Sequence, residues 1–182
     1  DLQVCVSPTR FLVQENAAEK FIEGFVAAIE STKIGNGLDP ETEMGPLANE
    51  RRIPVMEAMI ADAKSKGAEL VTGGDRIGNQ GYFFQPTVLR NVSPDSAAMN
   101  DEPFGPMALI NTFKTHDEAV NEANRLNYGL AAYAFTSSAE TQRRLGREVE
   151  SGMLTVNHVG LALPEVPFGG IQDSGYGTEG GS

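Results

Sequence analysis

The chain has 182 residues, 40% of them hydrophobic and 21% charged, and a chain of this length buries roughly two thirds of its unfolded surface and holds a core without staples. Its 25 acidic and 14 basic side chains leave a net charge of -11, which disfavours phosphate backbones and anionic membrane surfaces, since both need clustered Lys and Arg. No apolar run approaches the roughly 18 residues of a membrane span, so neither nucleic acid nor membrane is an expected partner. The single cysteine, Cys5, can make no internal disulfide, and with no secretory apolar segment at the start the expected compartment is the reducing cytoplasm.

In chain order, residues 10–14 are a short apolar run suited to a strand. Asn16 then caps a helix in which Phe21, Ile22, Phe25, Val26 and Ile29 recur at helical spacing. Gly35-Asn36-Gly37-Leu38-Asp39-Pro40 breaks it, and the stretch through Gly45-Pro46 reads as a surface loop. A second helix, capped by Asn49 and disturbed early by Pro54, presents Val55, Met56, Met59, Ile60 and Ala63 before Lys64, Lys66 and Gly67 end it. Residues 68–72 and 83–89 are extended, the latter interrupted at Pro86, and both are expected at sheet edges.

Residues 107–113 form a strand, and Thr115-His116-Asp117-Glu118 is a capping box that opens a helix to about Leu126, with His116 exposed in its first turn. Residues 130–136 are strand again. Ser137-Ser138-Ala139-Glu140 repeats the capping device ahead of a helix that carries Leu145 and Val149 inward, and residues 153–156 end the series as a strand. The β-α-β-α-β run over 107–156 implies right-handed crossovers. The expected fold class is α/β, a mostly parallel twisted sheet with helices on both faces.

Three segments carry chemistry-bearing residues: Gln3-Val4-Cys5-Val6-Ser7-Pro8-Thr9-Arg10, Asp101-Glu102-Pro103-Phe104-Gly105-Pro106, and Pro167-Phe168-Gly169-Gly170-Ile171-Gln172-Asp173-Ser174-Gly175-Tyr176-Gly177. Taken singly, a lone cysteine is a packed small hydrophobe, Asp101-Glu102 a solvated acidic pair, and Phe168 a core aromatic. Gly175-Tyr176-Gly177-Thr178-Glu179-Gly180 satisfies GxGxxG, but no strand immediately precedes it, so it is discarded as a dinucleotide fingerprint. No HExxH, CxxC or GxxxxGK occurs, and no metal is expected.

Together, in this order and at this spacing, the three segments resemble the aldehyde dehydrogenase family, as do Gly81-Tyr82-Phe83-Phe84-Gln85-Pro86-Thr87-Val88 and Tyr128-Gly129-Leu130-Ala131-Ala132. The chain departs from the family pattern at Leu2, Gln172 and Thr178. The resemblance implies that residues 1–182 are part of the family's Rossmann-like catalytic domain, cut from a longer polypeptide whose cofactor-binding domain lies upstream and whose C-terminal tail lies beyond. It implies NAD or NADP as cofactor, a small-molecule aldehyde as substrate, and a homo-oligomer.

By the same resemblance Cys5 is the nucleophile, Glu102 accepts hydrogen bonds from the nicotinamide ribose, and Phe104 packs against that end of the cofactor. Phe168, His158 and Val159 line the substrate mouth, and Asn157 supports the site, although it can equally satisfy a loop backbone. The family's general base, a Glu, and its oxyanion Asn lie upstream of the nucleophile, which leaves the backbone N–H of Cys5 as an oxyanion donor. Residues 156–170 look most like succinate-semialdehyde dehydrogenases. Two other classes stay open: a cysteine hydrolase pairing Cys5 with His158 or His116, for which no orienting acid is recognisable, and a non-catalytic binding or assembly module in which Cys5 is packed.

Overall fold

The computed structural model describes residues 3–181, so the departure at Leu2 lies outside the described residues. Contacts divide the chain into two compact units, one containing residues 3–4 and 9–113, the other residues 5–8 and 114–181. Helices alternate with strands in both, and three of the five strand pairings are parallel, as the α/β expectation requires.

The first unit rests on a four-stranded sheet in the order β1-β4-β3-β2. β1 (Arg10–Gln14) and β3 (Thr87–Arg90) run parallel to β4 (Met107–Phe113), and β2 (Glu69–Thr72) is antiparallel to β3. β2 is an edge, as expected, but β3 is interior, with Thr87, Val88 and Leu89 buried. Pro86 did not demote it, because that residue stands just before the strand, where its missing N–H removes no ladder bond.

Side chains alternate across a pleated strand, so β3 and β4 serve two cores. Val88 and Ile110, with Phe11 and Val13 of β1, meet Ile22, Phe25 and Val26 of α1 (Ala18–Glu30) on one face. Leu89, Leu109 and Met107 meet Met56, Met59 and Ile60 of α2 (Arg52–Ser65) and Met99 of α3 (Ala97–Asn100) on the other. Helices thus cover both faces of this sheet.

The helix starts differ from expectation. Asn16 lies inside a short 3-10 turn, Glu15–Ala17, and no side chain caps α1. Arg51 holds the N-cap position of α2, again without a side-chain bond, while the Asn49 side-chain oxygen is buried unpaired. Pro54 is the third residue of α2, where the backbone N–H would have no intrahelical partner, and it leaves the helix intact. The connection between α1 and α2 is also less superficial than its composition implies, because Met44 and Leu47 are buried.

In the second unit, Thr115 caps α4 (His116–Ala123) by accepting from the Glu118 N–H, and the Glu118 carboxylate accepts from the Lys114 N–H at 2.8 Å, so the box closes one residue early. Ser138, rather than Ser137, caps α5 (Ala139–Glu148). β5 (Tyr128–Gly129) pairs antiparallel with β8 (Ile171–Gln172), and β6 (Ala131–Ala134) pairs parallel with β7 (Met153–Val156). The run over 107–156 therefore does not make one sheet: β4 bonds to β1 and β3, while β6 and β7 bond to each other. Among the described residues no helix is long and apolar enough to cross a membrane.

Candidate active site

The first unit carries the turn with Glu102 and Phe104. Pro103 is fully buried, Phe104 is half-buried, and Glu102 is exposed with no hydrogen-bond partner among the described residues. Phe104 has φ 45°, a left-handed conformation that costs a non-glycine residue about 1 kcal/mol or more and persists only where its surroundings hold it. Those surroundings are specific. Arg52 donates from Nη2 to the Pro103 carbonyl, and Gln3 donates from Nε2 to the Phe104 carbonyl at 3.3 Å while its Oε1 accepts from the Ala48 N–H at 3.0 Å. At Gly105 an added Cβ would lie 2.5 Å from the Met56 sulfur, so a larger residue there would have to displace the Met56 side chain.

This arrangement fits the nicotinamide end of a dinucleotide. An unpaired carboxylate has both oxygens available to a ribose diol, and an aromatic ring on a held backbone gives the nicotinamide a defined wall.

The second unit carries Cys5, an exposed free thiol in a turn. The turn is tethered one residue further on, where the Tyr133 hydroxyl donates to the Val6 carbonyl at 2.7 Å. Burial pushes the Tyr133 phenol above its usual range, and the negative charge of a Cys5 thiolate pushes it further in the same direction. Both effects favour the protonated phenol that donates to the Val6 carbonyl.

Asn157 sits at φ 58° immediately after β7, with its Oδ1 accepting from the Thr136 N–H and its Nδ2 donating to the Thr136 carbonyl, both at 2.9 Å. Both ends of its amide are used on one backbone residue, which makes it a clamp between the ends of β6 and β7. The Gly160 N–H donates to His158 Nδ1 at 2.9 Å. The same nitrogen lies 3.1 Å from the Gly160 carbonyl oxygen, so the ring is held against the backbone of a single residue. Among the described residues no acid orients this histidine, which suits a wall rather than a base.

Val159 is 71% exposed, and Phe168 is half-buried with its backbone bonded both ways to Glu179 at 2.7 Å. An added Cβ at Gly152 would meet the Gly169 carbonyl at 2.0 Å, so the chain after Phe168 runs directly against the start of β7.

His116 is not the exposed residue its position implied. It is half-buried, with Nε2 2.7 Å from Glu148 Oε2. Arg144, 2.9 Å from both Glu148 and Asp117, completes a cluster that joins the start of α4 to the end of α5. Arg144 first, and His116 second, hold the Glu148 carboxyl below its usual range. The acid that sequence reading found missing beside His116 thus exists, but its other partner is a structural arginine rather than the nucleophile.

The structure groups Cys5, Asn157, His158, Val159 and Phe168 in one unit and Glu102 with Phe104 in the other. Sequence reading missed Tyr133, Arg52 and Gln3 as supports. Each touches a main-chain carbonyl far away in sequence, and a carbonyl has no side-chain identity for a motif to record.

Known proteins resemble this chain over nearly its whole length. The sequence pattern described as "Aldehyde dehydrogenase family" matches residues 3–182. A mitochondrial succinate-semialdehyde dehydrogenase of Oryza sativa subsp. japonica is 44% identical over 178 residues, 98% of this chain and 34% of that protein. A putative 4-(hydroxymethyl)benzenesulfonate dehydrogenase of Comamonas testosteroni is 41% identical over 180 residues, 99% of this chain and 37% of that protein. The crystal structure of a succinate-semialdehyde dehydrogenase from Burkholderia pseudomallei superposes with a TM-score of 0.95 at 39% identity, covering 98% of this chain and 37% of that one. The chain therefore spans between a third and two fifths of the length of these relatives, and it belongs to the aldehyde dehydrogenase family.

Proposed function

We propose that this chain supplies the nucleophile, the nicotinamide-ribose contact and part of the aldehyde pocket of an NAD(P)-dependent aldehyde dehydrogenase. The activity belongs to a polypeptide of the relatives' length, in which residues 1–182 are catalytic domain and the rest contributes most of the cofactor site, the general base and the second oxyanion donor. The observation that carries the proposal is Cys5: an exposed, unbonded thiol in a turn that a half-buried tyrosine tethers.

The Cys5 thiolate adds to the aldehyde carbon, forming a C–S bond and a thiohemiacetal oxyanion that the Cys5 backbone N–H stabilises. NAD(P), when bound, would supply the two-electron acceptor for the hydride on that carbon. Glu102 and Phe104 hold its nicotinamide end during the transfer. The resulting thioester on Cys5 is hydrolysed by water, which breaks the C–S bond and releases a carboxylate and the free thiol. Phe168, His158 and Val159 wall the aldehyde, and Asn157 keeps the strand ends that carry them in place.

Both relatives' named substrates bear an acid group away from the reacting carbon, so an anionic aldehyde is proposed, with succinate semialdehyde the first to assay. A reducing compartment such as the cytoplasm would keep Cys5 as a thiol. In the longer polypeptide, Cys5→Ala is expected to lower turnover by more than about a thousandfold with circular dichroism unchanged. Retained turnover would remove Cys5 as nucleophile. Release of acid from an activated ester, without any nicotinamide dependence of the aldehyde reaction, would favour a hydrolase instead.

A further inference from the structure

We propose that Arg52 is a positioning residue of the cofactor site, anchoring the Pro103 carbonyl from α2 and so holding Glu102 and Phe104 in the pose that receives the nicotinamide ribose. The proposal rests on the reading that those two residues contact that end of the cofactor. It goes beyond that reading in naming what keeps them there.

Pro103 is fully buried, and proline has no N–H, so its carbonyl is its only polar group and Arg52 Nη2 is the donor that satisfies it. The next residue, Phe104, is left-handed at φ 45°, a conformation that relaxes unless its flanking groups are held. Its own carbonyl is held from another direction by Gln3 at 3.3 Å. Met56 lies four residues after Arg52, on the same face of the helix, and fills the space beneath Gly105. Successive turns of α2 therefore support successive residues of the motif.

Arg52 makes a poor stabiliser otherwise. Its Nε is buried with no hydrogen-bond partner, and no carboxylate pairs with it among the described residues. A buried donor left unpaired is a cost, and an apolar side chain of similar length would pack there without it. Among the described residues, satisfying Pro103 is the one polar task this guanidinium performs.

The test uses the polypeptide of the relatives' length and compares Arg52→Met, Arg52→Lys, Gln3→Met and Glu102→Gln. Affinity for NADH or NADPH is measured by fluorescence, and affinity for ADP-ribose or its 2′-phosphate, which lack the nicotinamide, by competition. Arg52→Met is expected to weaken the reduced dinucleotide about tenfold while leaving the nicotinamide-free fragment within about twofold, and Arg52→Lys is expected to recover most of the loss.

A general structural role would weaken both ligands equally, and that result, or an unchanged dinucleotide affinity in folded Arg52→Met, overturns the proposal. If Arg52→Met does not fold, Gln3→Met reads the same turn from its other anchor without touching α2, and must show the same nicotinamide-selective loss for the proposal to stand. Glu102→Gln separates the two failures. If it weakens the dinucleotide selectively and Arg52→Met does not, only the positioning role falls; if Glu102→Gln changes neither ligand, the underlying cofactor contact falls with it.

Discussion

Cys5 lies in a turn whose shape depends on a donor 127 residues away. Removing only the Tyr133 hydroxyl, by Tyr133→Phe, leaves the ring to pack and the Val6 carbonyl to find water. The expected cost in stability is about 1 kcal/mol, and in the polypeptide of the relatives' length turnover should fall about tenfold because the sulfur loses its fixed direction. Steady-state kinetics alongside the iodoacetamide alkylation rate of Cys5 would check this. Faster alkylation with slower turnover is the expected signature of a thiol that is freer but worse aimed. Unchanged kinetics would make Tyr133 a packing residue only. Asn157 is a similar case, since its identity as an asparagine was legible, but its use as a two-sided clamp on Thr136 depended on where β6 ends.

At the scale of elements, α2 serves two faces of the first unit. Its N-terminal half supports the turn at 103–105, and its C-terminal half holds the start of α3 through Asp62, whose Oδ2 accepts from the Ala97 N–H at 2.7 Å and whose Oδ1 lies 2.7 Å from Lys66 Nζ. The Asp62 carboxyl is held below its ordinary value of 3.8 by Lys66 first and the Ala97 N–H second. A depressed carboxyl stabilises the fold at every pH above its unfolded value, and that contribution disappears as pH falls through the unfolded value and then the folded one. Thermal melting against pH should therefore show Asp62→Asn less stable than the parent at pH 7, with the difference shrinking as pH falls through 3.8 and towards the lower folded value. A constant difference across the range would mean that the amide costs stability through packing instead.

For the whole molecule, charge and exposed apolar surface act in opposite directions. The second unit exposes Tyr128, Phe135, Leu163, Val166, Ile171 and Tyr176, and β2 presents an unpaired edge in the first. If the chain associates, these surfaces are where association would draw its energy. The chain is expected to be at least dimeric at high micromolar concentration and neutral pH, where its net charge of -11 limits growth. Larger species should appear as pH approaches about 4.6, the pI of the sequence. Light scattering after size exclusion measures both. A strictly monomeric species under both conditions would show that neither surface drives assembly.

The sequence alone determined the class of fold, the helices whose apolar stripes bury Ile22, Met56 and Ile60, and the family, because helical periodicity and short motifs are local properties written in consecutive side chains. It also marked Cys5, Glu102 and Phe104 as the residues to test. Only the tertiary structure decided that β3 is interior, that the strands after β4 bond among themselves, and that His116 is paired with Glu148. It alone showed that the key turns hang on Tyr133, Arg52 and Gln3. Strand order is a choice among long-range pairings that local pattern leaves nearly equal in energy. Support for a backbone carbonyl comes from whichever donor the fold brings within hydrogen-bonding reach, and a distance set by the fold has no signature in the order of residues.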